Sequence, residues 1–263
     1  MVAQGLFAAL FPSDCRLCGT PLENISRLPV CTSCLLAMHP ISGETCEICG
    51  ERLPGLQHFA DSTCRACQEA KPSFAKAAAY GSYDGELREL IHLLKYEHVV
   101  PAARVLGGML AEAVQKLGIA AGPALVVPVP LHRSKRRPRG FNQAELICRA
   151  ALKKLALPNL LLQRDLLERR RATVSQIGLT RPQRAENIRG AFRVVHLNRV
   201  EGRGILLIDD VLTTGSTASE CARILRKAGG KNVWVATVAR TLKTAGANIE
   251  SEIEPEFEAA QAS

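Results

Sequence analysis

Beyond Phe74 the apolar positions switch between two periods. In Asp84–His98, Leu87, Leu90, Ile91 and Leu94 recur at i, i+3, i+4 and i+7, which describes one apolar face of a helix. A second helix opens at Pro101, carries Val105, Met109, Leu110, Ala113 and Leu117, and stops at Gly118. Proline suits a first helical turn and glycine suits the position after a last one. Leu125–Val129 is apolar without a break and reads as a strand buried on both faces, while Gln143–Leu155 returns to the helical period. Glu168–Arg184 is polar and arginine-rich, the composition of a mobile loop. Near its end, Thr180 and Gln183 have the spacing of a capping box that opens a short helix through Arg189. Ile205–Ile208, Thr217–Ala228 and Val233–Ala239 complete a strand, helix, strand unit. Strands separated by helices predict an α/β fold with a parallel sheet flanked by helices.

Before residue 70 this patterning is replaced by cysteines. Eight of the ten fall there, as the pairs Cys15/Cys18, Cys31/Cys34, Cys46/Cys49 and Cys64/Cys67, separated by twelve, eleven and fourteen residues. Two thiolates spaced by two residues reach one tetrahedral ion from a single tight turn, and two such turns close a four-sulfur shell. The four pairs therefore predict two zinc sites. Gly19 and Gly50 follow the second cysteine of their pairs, where glycine accepts the positive φ that turns backbone amides towards sulfur. Sequential pairing joins Cys15, Cys18, Cys31 and Cys34 on one ion and Cys46, Cys49, Cys64 and Cys67 on the other; an interleaved cross-brace has the same ligand arithmetic. A closed shell leaves no open coordination position, so both metals are expected to be structural. Thiolates kept for metal imply a reducing, cytoplasmic compartment. Cys148 and Cys221 lie on helical patterns and read as core residues.

Charge adds a second feature. The 263 residues sum to +9, yet residues 131–193 hold sixteen Lys and Arg against four Asp and Glu, a local +12 that leaves −3 for the rest. Such a field points to partners that carry phosphate. With 47% hydrophobic and 22% charged residues, wholesale disorder, collagen and a coiled-coil rod are excluded. No stretch reaches the ~18–20 apolar residues of a membrane span. The opening Met1–Cys15 lacks a basic n-region and a small-residue cleavage site, so it reads as a short packing segment rather than a signal peptide.

The chemistry concentrates in Ile205-Leu-Leu-Ile-Asp-Asp-Val-Leu-Thr-Thr-Gly-Ser-Thr217. Four aliphatic residues form a buried strand, and Asp209 and Asp210 are expected at its C-terminal end, where α/β sheets place ligands, over a solvent-facing crevice. Thr213, Thr214, Gly215, Ser216 and Thr217 then offer hydroxyls and backbone N–H groups at a helix start, which makes a phosphate cradle. No lysine precedes Ser216, so the segment is not a nucleoside-triphosphatase loop. Paired acids beside such a cradle suit a sugar phosphate: the acids accept hydrogen bonds from ribose hydroxyls while the loop holds the 5′-phosphate.

This segment resembles the 5-phosphoribosyl-1-pyrophosphate (PRPP) motif of type I phosphoribosyltransferases. The chain as a whole resembles the ComF family of competence-associated proteins, from about residue 7 to about residue 242, through Phe11-Pro12 before Cys15, Leu94-Lys95-Tyr96, Val127-Pro-Val-Pro-Leu131, Arg139-Gly-Phe-Asn-Gln143, Gln176, Arg184, Asn187 and Gly190-Ala-Phe192. The resemblance implies a double zinc ribbon over 1–72 and a type I phosphoribosyltransferase-like domain over 73–244, with an acidic tail over 245–263 that includes Glu250–Glu258 and has no counterpart in the family. It implies Asp209 and Asp210 on the ribose hydroxyls and the 213–217 loop on the 5′-phosphate. The stretch Pro128–Ser134, with Pro130, Leu131, His132 and Arg133, becomes the pyrophosphate loop. Arg133 and Lys135 then balance charge beside Mg²⁺, and Gln176 and Arg184 belong to a hood that closes over ligand. A surface or core role for His132 is an equal alternative. Functionally the family is linked to single-stranded DNA handled during competence or DNA utilisation, with uptake-machinery proteins as partners. Lys135, Arg136, Arg137 and Arg139 are then the candidate nucleic-acid contacts. A phosphoribosyltransferase acting on a small nitrogenous acceptor is the competing function, although no residue identifies the acceptor.

Overall fold

The computed structural model describes residues 13–22, 26–53, 62–119, 124–172 and 180–242. The opening segment through Pro12, Gln176 and the acidic tail lie outside the described residues. Five parallel strands form the central sheet: β1 (Lys76–Ser82), β2 (Ala124–Pro128), β3 (Leu160–Leu162), β6 (Gly204–Leu212) and β7 (Val233–Arg240), in the order β1-β7-β6-β2-β3. A separate antiparallel pair joins β4 (Leu167–Arg169) to β5 (Phe192–Val194). Helices α1 (Thr32–Leu36) and α2 (Arg65–Glu69) belong to the cysteine-rich module. The others are α3 (Gly85–Lys95), α4 (Ala102–Lys116), α5 (Arg133–Arg139), α6 (Gln143–Leu155), α7 (Arg181–Ile188) and α8 (Ser216–Lys227).

The alternation of β6 explains the two-sided core. Leu206 and Ile208 join the cluster of α3, α4 and α6, whereas Ile205 and Leu207 join that of α8, β4 and β5, as expected when successive side chains point to opposite faces. Both faces being covered, the strand is apolar without a break. On α3, Leu87, Leu90, Ile91 and Leu94 are all buried, as the period requires. Helices α4 and α6 approach so closely at Gly107 that a Cβ there would come within 2.4 Å of the Ala150 Cβ. Cys148 and Cys221 are core residues.

Three sequence expectations change. Strand β6 continues through Leu212, so Asp209 and Asp210 lie inside it rather than at its end. The span Glu168–Arg184 is not one mobile loop: Glu168 and Arg169 pair in register with Arg193 and Phe192, and Arg171 donates to the carbonyls of Asn187 and Arg189. The stretch Pro128–Ser134, read from the sequence as a pyrophosphate loop, gives way at Arg133 to α5, a helix that the apolar period could not announce because none of its residues is buried. The capping box is present: Thr180 N–H donates to Gln183 Oε1 at 2.8 Å, and Gln183 N–H faces Thr180 Oγ1 at 3.5 Å.

The cysteine module covers the sheet edge. Ile41 N–H donates to the Tyr80 carbonyl, and Ala77 N–H donates to the Ile48 carbonyl, both at 2.7 Å, so polar groups of edge strand β1 are paired rather than left to recruit another chain. Arg240, the last residue of β7, reaches across. Its guanidinium pairs with Glu51 at 2.8 Å and donates to the Cys49 carbonyl at 2.6 Å, with all three groups buried.

Candidate functional site

The eight paired cysteines fall into two tetrads, Cys15/Cys18/Cys31/Cys34 and Cys46/Cys49/Cys64/Cys67, each with its sulfurs within 4.8 Å of one another. A tetrahedron with Zn–S near 2.3 Å sets its sulfurs about 3.8 Å apart. The Cys15–Cys34, Cys18–Cys31 and Cys49–Cys64 separations are 3.9, 3.7 and 3.6 Å, so the donor sets fit zinc. The grouping is sequential, which removes the cross-brace. Both knuckles have the same build. Gly19 and Gly50 hold φ at 73° and 71°, and their N–H groups return to the Cys15 and Cys46 carbonyls at 2.8 Å. Burial pushes the Cys15 thiol up, but the backbone amides of Cys31, Cys18 and Leu17 outweigh it and hold it at about 6. At Cys46 the amides of Cys49, Cys64 and Ile48 overcome the same burial and hold it at about 7. These amides favour the thiolate that binds metal.

The second candidate site lies on the C-terminal half of β6. Asp209 and Asp210 point to opposite faces. Asp210, 5% exposed, meets Lys95 Nζ at 2.5 Å; burial alone would raise its pKa, but the lysine charge holds the carboxylate below its usual range. Asp209 lies on the other face, in the electrostatic field of Arg169 on β4 and Cys221 on α8. It is only partly open to solvent, and burial together with the Asp210 charge raises its pKa well above the usual carboxylate range. The crevice expected to hold both acids thus receives one acid on each side of the strand. Asp210 is a structural ion-pair partner as well as a candidate ligand group.

Lys95 was not among the sequence-predicted site residues, though a signal existed. It stands four residues after Ile91, on the apolar stripe of α3, where a cation requires a buried partner. Arg169 was hidden inside the span read as a loop. Beyond the acids, Gly215 takes the left-handed N-cap of α8 with φ 78° and supplies no side-chain cap. Thr214 and Ser216 hydroxyls meet there at 2.9 Å. The Thr213–Thr217 loop therefore gathers hydroxyls around the positive end of a helix dipole.

The other predicted residues divide. Pro130 and Leu131 are half-buried between β2 and α5. His132 caps α5, accepting from Ser134 N–H at 3.2 Å. Arg133 faces Glu168 at 3.8 Å, which ties α5 to the β4–β5 pair. Arg184 rides on α7, and α7 is joined to α8 through Gly190 N–H and Glu220 at 2.8 Å. Lys135, Arg136 and Arg137 are exposed, but Arg139 is half-buried, bonded to Gln143 Oε1 at 2.9 Å with its guanidinium 5.3 Å from the Tyr96 ring centroid. The basic field is also less uniform than its sum suggests, because Lys154 pairs with Glu112, Arg164 with Glu145 and Arg193 with Glu168.

The sequence matches the double zinc ribbon domain over residues 6–68 and the phosphoribosyl transferase domain over residues 149–258. It is 32% identical to competence protein F of Haemophilus influenzae across 82% of this chain and 93% of that protein. The chain belongs to the ComF family. Its ComF relatives include the DNA utilization protein YhgH of Escherichia coli, 31% identical over 88% of this chain and 98% of that one. Competence protein ComFC of Bacillus subtilis is 25% identical over 76% and 79%. Across the described residues of this ComF protein, no helix is long and apolar enough to cross a membrane.

Proposed function

We propose that this protein acts in the cytoplasm in the uptake or utilisation of DNA, binding single-stranded DNA and holding PRPP or a related ribose phosphate at the C-terminal half of β6. The relatives' names, competence protein F and DNA utilization protein YhgH, support the cellular role. The observation that carries the ligand reading is Asp209 and Asp210 on a central strand that runs straight into a hydroxyl-rich loop and the N-terminus of α8. In this reading Thr213, Thr214, Gly215, Ser216 and Thr217 bind the 5′-phosphate. Asp209 receives the ribose hydroxyls, while Asp210, on the opposite face of β6, stays paired with Lys95 and fixes the strand beside the ligand. Pro130, Leu131, His132 and Arg133 lie towards the pyrophosphate, whose charge Mg²⁺ would help to neutralise when bound, and Gln176 and Arg184 are the remaining candidate ligand contacts. Lys135, Arg136 and Arg137 contact DNA phosphates.

PRPP with Mg²⁺ is expected to raise the melting temperature by mass action. Asp209→Asn is expected to abolish that shift while the protein stays folded. An undiminished shift in the variant would place the ligand elsewhere. Release of pyrophosphate in the presence of a panel of nitrogenous acceptors distinguishes a phosphoribosyltransferase from a site that only binds. For DNA, replacing Lys135, Arg136 and Arg137 by Ala should weaken binding and flatten the slope of log affinity against log salt by about 0.7 for each phosphate no longer neutralised. A wild-type slope in that variant would count against α5 as the DNA-binding element.

A further inference from the structure

Tyr96 follows Lys95 at the end of α3, and it is 55% exposed, although aromatic rings usually contribute their surface to a core. Polar neighbours hold it instead. The Arg139 guanidinium lies over the ring, 5.3 Å from its centroid, and the His92 ring meets it edge-on at 5.3 Å and 78°. Both supports are themselves fixed, Arg139 by buried Gln143 at 2.9 Å and His92 by the Tyr83 hydroxyl at 2.9 Å. With Arg139 over the ring and His92 packed against it at a steep angle, more than half of Tyr96 stays open to solvent. A second ring pair joins the same two segments: Phe141 meets His98 edge-on at 6.0 Å. His98 holds φ at 57°, a conformation uncommon outside glycine, so the turn after Tyr96 has a defined shape.

Arg139 closes the helix that carries Arg133, Lys135, Arg136 and Arg137, all exposed. Among the described residues no ion pair engages Lys135, Arg136 or Arg137. An exposed aromatic ring is thus tied through Arg139 to a short helix that carries exposed cations, and a ligand matching both has a π-face next to phosphates. Only an unpaired base offers that face, because in a duplex it is covered by its stacked neighbours. We infer that Tyr96 is a base-stacking platform for single-stranded DNA, with one base on its exposed ring and the flanking phosphates on Lys135, Arg136 and Arg137. The inference rests on the DNA reading above and adds to it the residue that engages a base. The preset ring reduces the side-chain ordering that binding requires.

The test uses the full-length, zinc-loaded chain with a labelled oligothymidine and an abasic strand of the same length, followed by anisotropy. Wild type should bind oligothymidine more tightly than the abasic strand. Tyr96→Ala should lose roughly tenfold on oligothymidine, within the range of one stacked base, and should bind the abasic strand as wild type does. Its salt slope should not change, since the cations of α5 still neutralise the same phosphates. Tyr96→Phe should retain wild-type affinity, whereas Tyr96→Leu, which keeps apolar bulk to protect the fold, should show the same loss as Tyr96→Ala. If Tyr96→Ala and Tyr96→Leu bind oligothymidine as wild type does, or if wild type binds both probes equally, the platform is overturned while the DNA reading stands. Wild type that binds neither probe at low salt overturns the DNA reading and the platform with it.

Discussion

Asp209 and Asp210 are neighbours in sequence with opposite surroundings. Asp210 is held ionised by Lys95, while Asp209 has burial and the Asp210 charge against its ionisation. The stability consequence follows from linkage. A carboxyl whose folded pKa is raised contributes its full stability below the unfolded value, about 3.9, and that contribution is lost as pH rises through the folded value. Asn does not titrate, so Asp209→Asn should be more stable than wild type at neutral pH without ligand. The gap should shrink under mildly acidic conditions that still retain zinc. Urea denaturation at the two pH values checks this; a variant less stable than wild type at neutral pH would show that the hydrogen bond from Asp210 N–H to Asp209 Oδ1, 2.9 Å long, outweighs the cost of burying the acid. Removing an acid from the proposed ligand site should therefore cost binding while adding stability, the pattern of a residue kept for function. At this scale the sequence showed both acids and the loop after them, since Asp-Asp followed by Thr-Thr-Gly-Ser-Thr is visible as composition. It did not show that β-alternation sends the two carboxylates to different faces, or that Lys95 is the buried counter-charge, because that contact spans elements far apart in the chain.

At the scale of elements, the long periodic helices and the two-sided strands were legible. Gln143–Leu155 has the same limits in sequence and structure, since an amphipathic face repeats its signal over several turns. Strand β1 was not legible: its Ala-rich sequence has weak β-propensity, and it is a strand because β7 pairs with it on one side and the ribbon covers it on the other. The joint between ribbon and sheet rests on Arg240 and Glu51, both buried. Arg240→Ala leaves the Glu51 carboxylate buried without its cation, which typically costs about 3–5 kcal/mol. Chemical denaturation is expected to show that loss, together with faster release of zinc from the second tetrad, because Arg240 also donates to the Cys49 carbonyl. Zinc release at the wild-type rate in a destabilised variant would limit the pair to holding the sheet.

For the molecule as a whole, metal content tests the architecture. Each tetrad fits one ion, so elemental analysis should find about two zinc per chain. Cys15→Ser and Cys46→Ser should each lose one. Loss of both from a single substitution, with the fold intact, would contradict the sequential grouping. A strong chelator should lower the melting temperature, because metal binding supplies folding energy to modules too small to bury much apolar surface. Four Cys-x-x-Cys pairs, the α/β alternation and the acid-rich strand before a hydroxyl loop were determined by sequence alone, since each depends on spacing within one segment. The tertiary structure decided which cysteine pairs share an ion, how the ribbon closes the sheet edge, and which side of β6 each acid faces. It also decided that Arg139 leaves the exposed basic row to support Tyr96. Those outcomes depend on groups brought together across dozens of residues, and no local period or propensity encodes the distance between them.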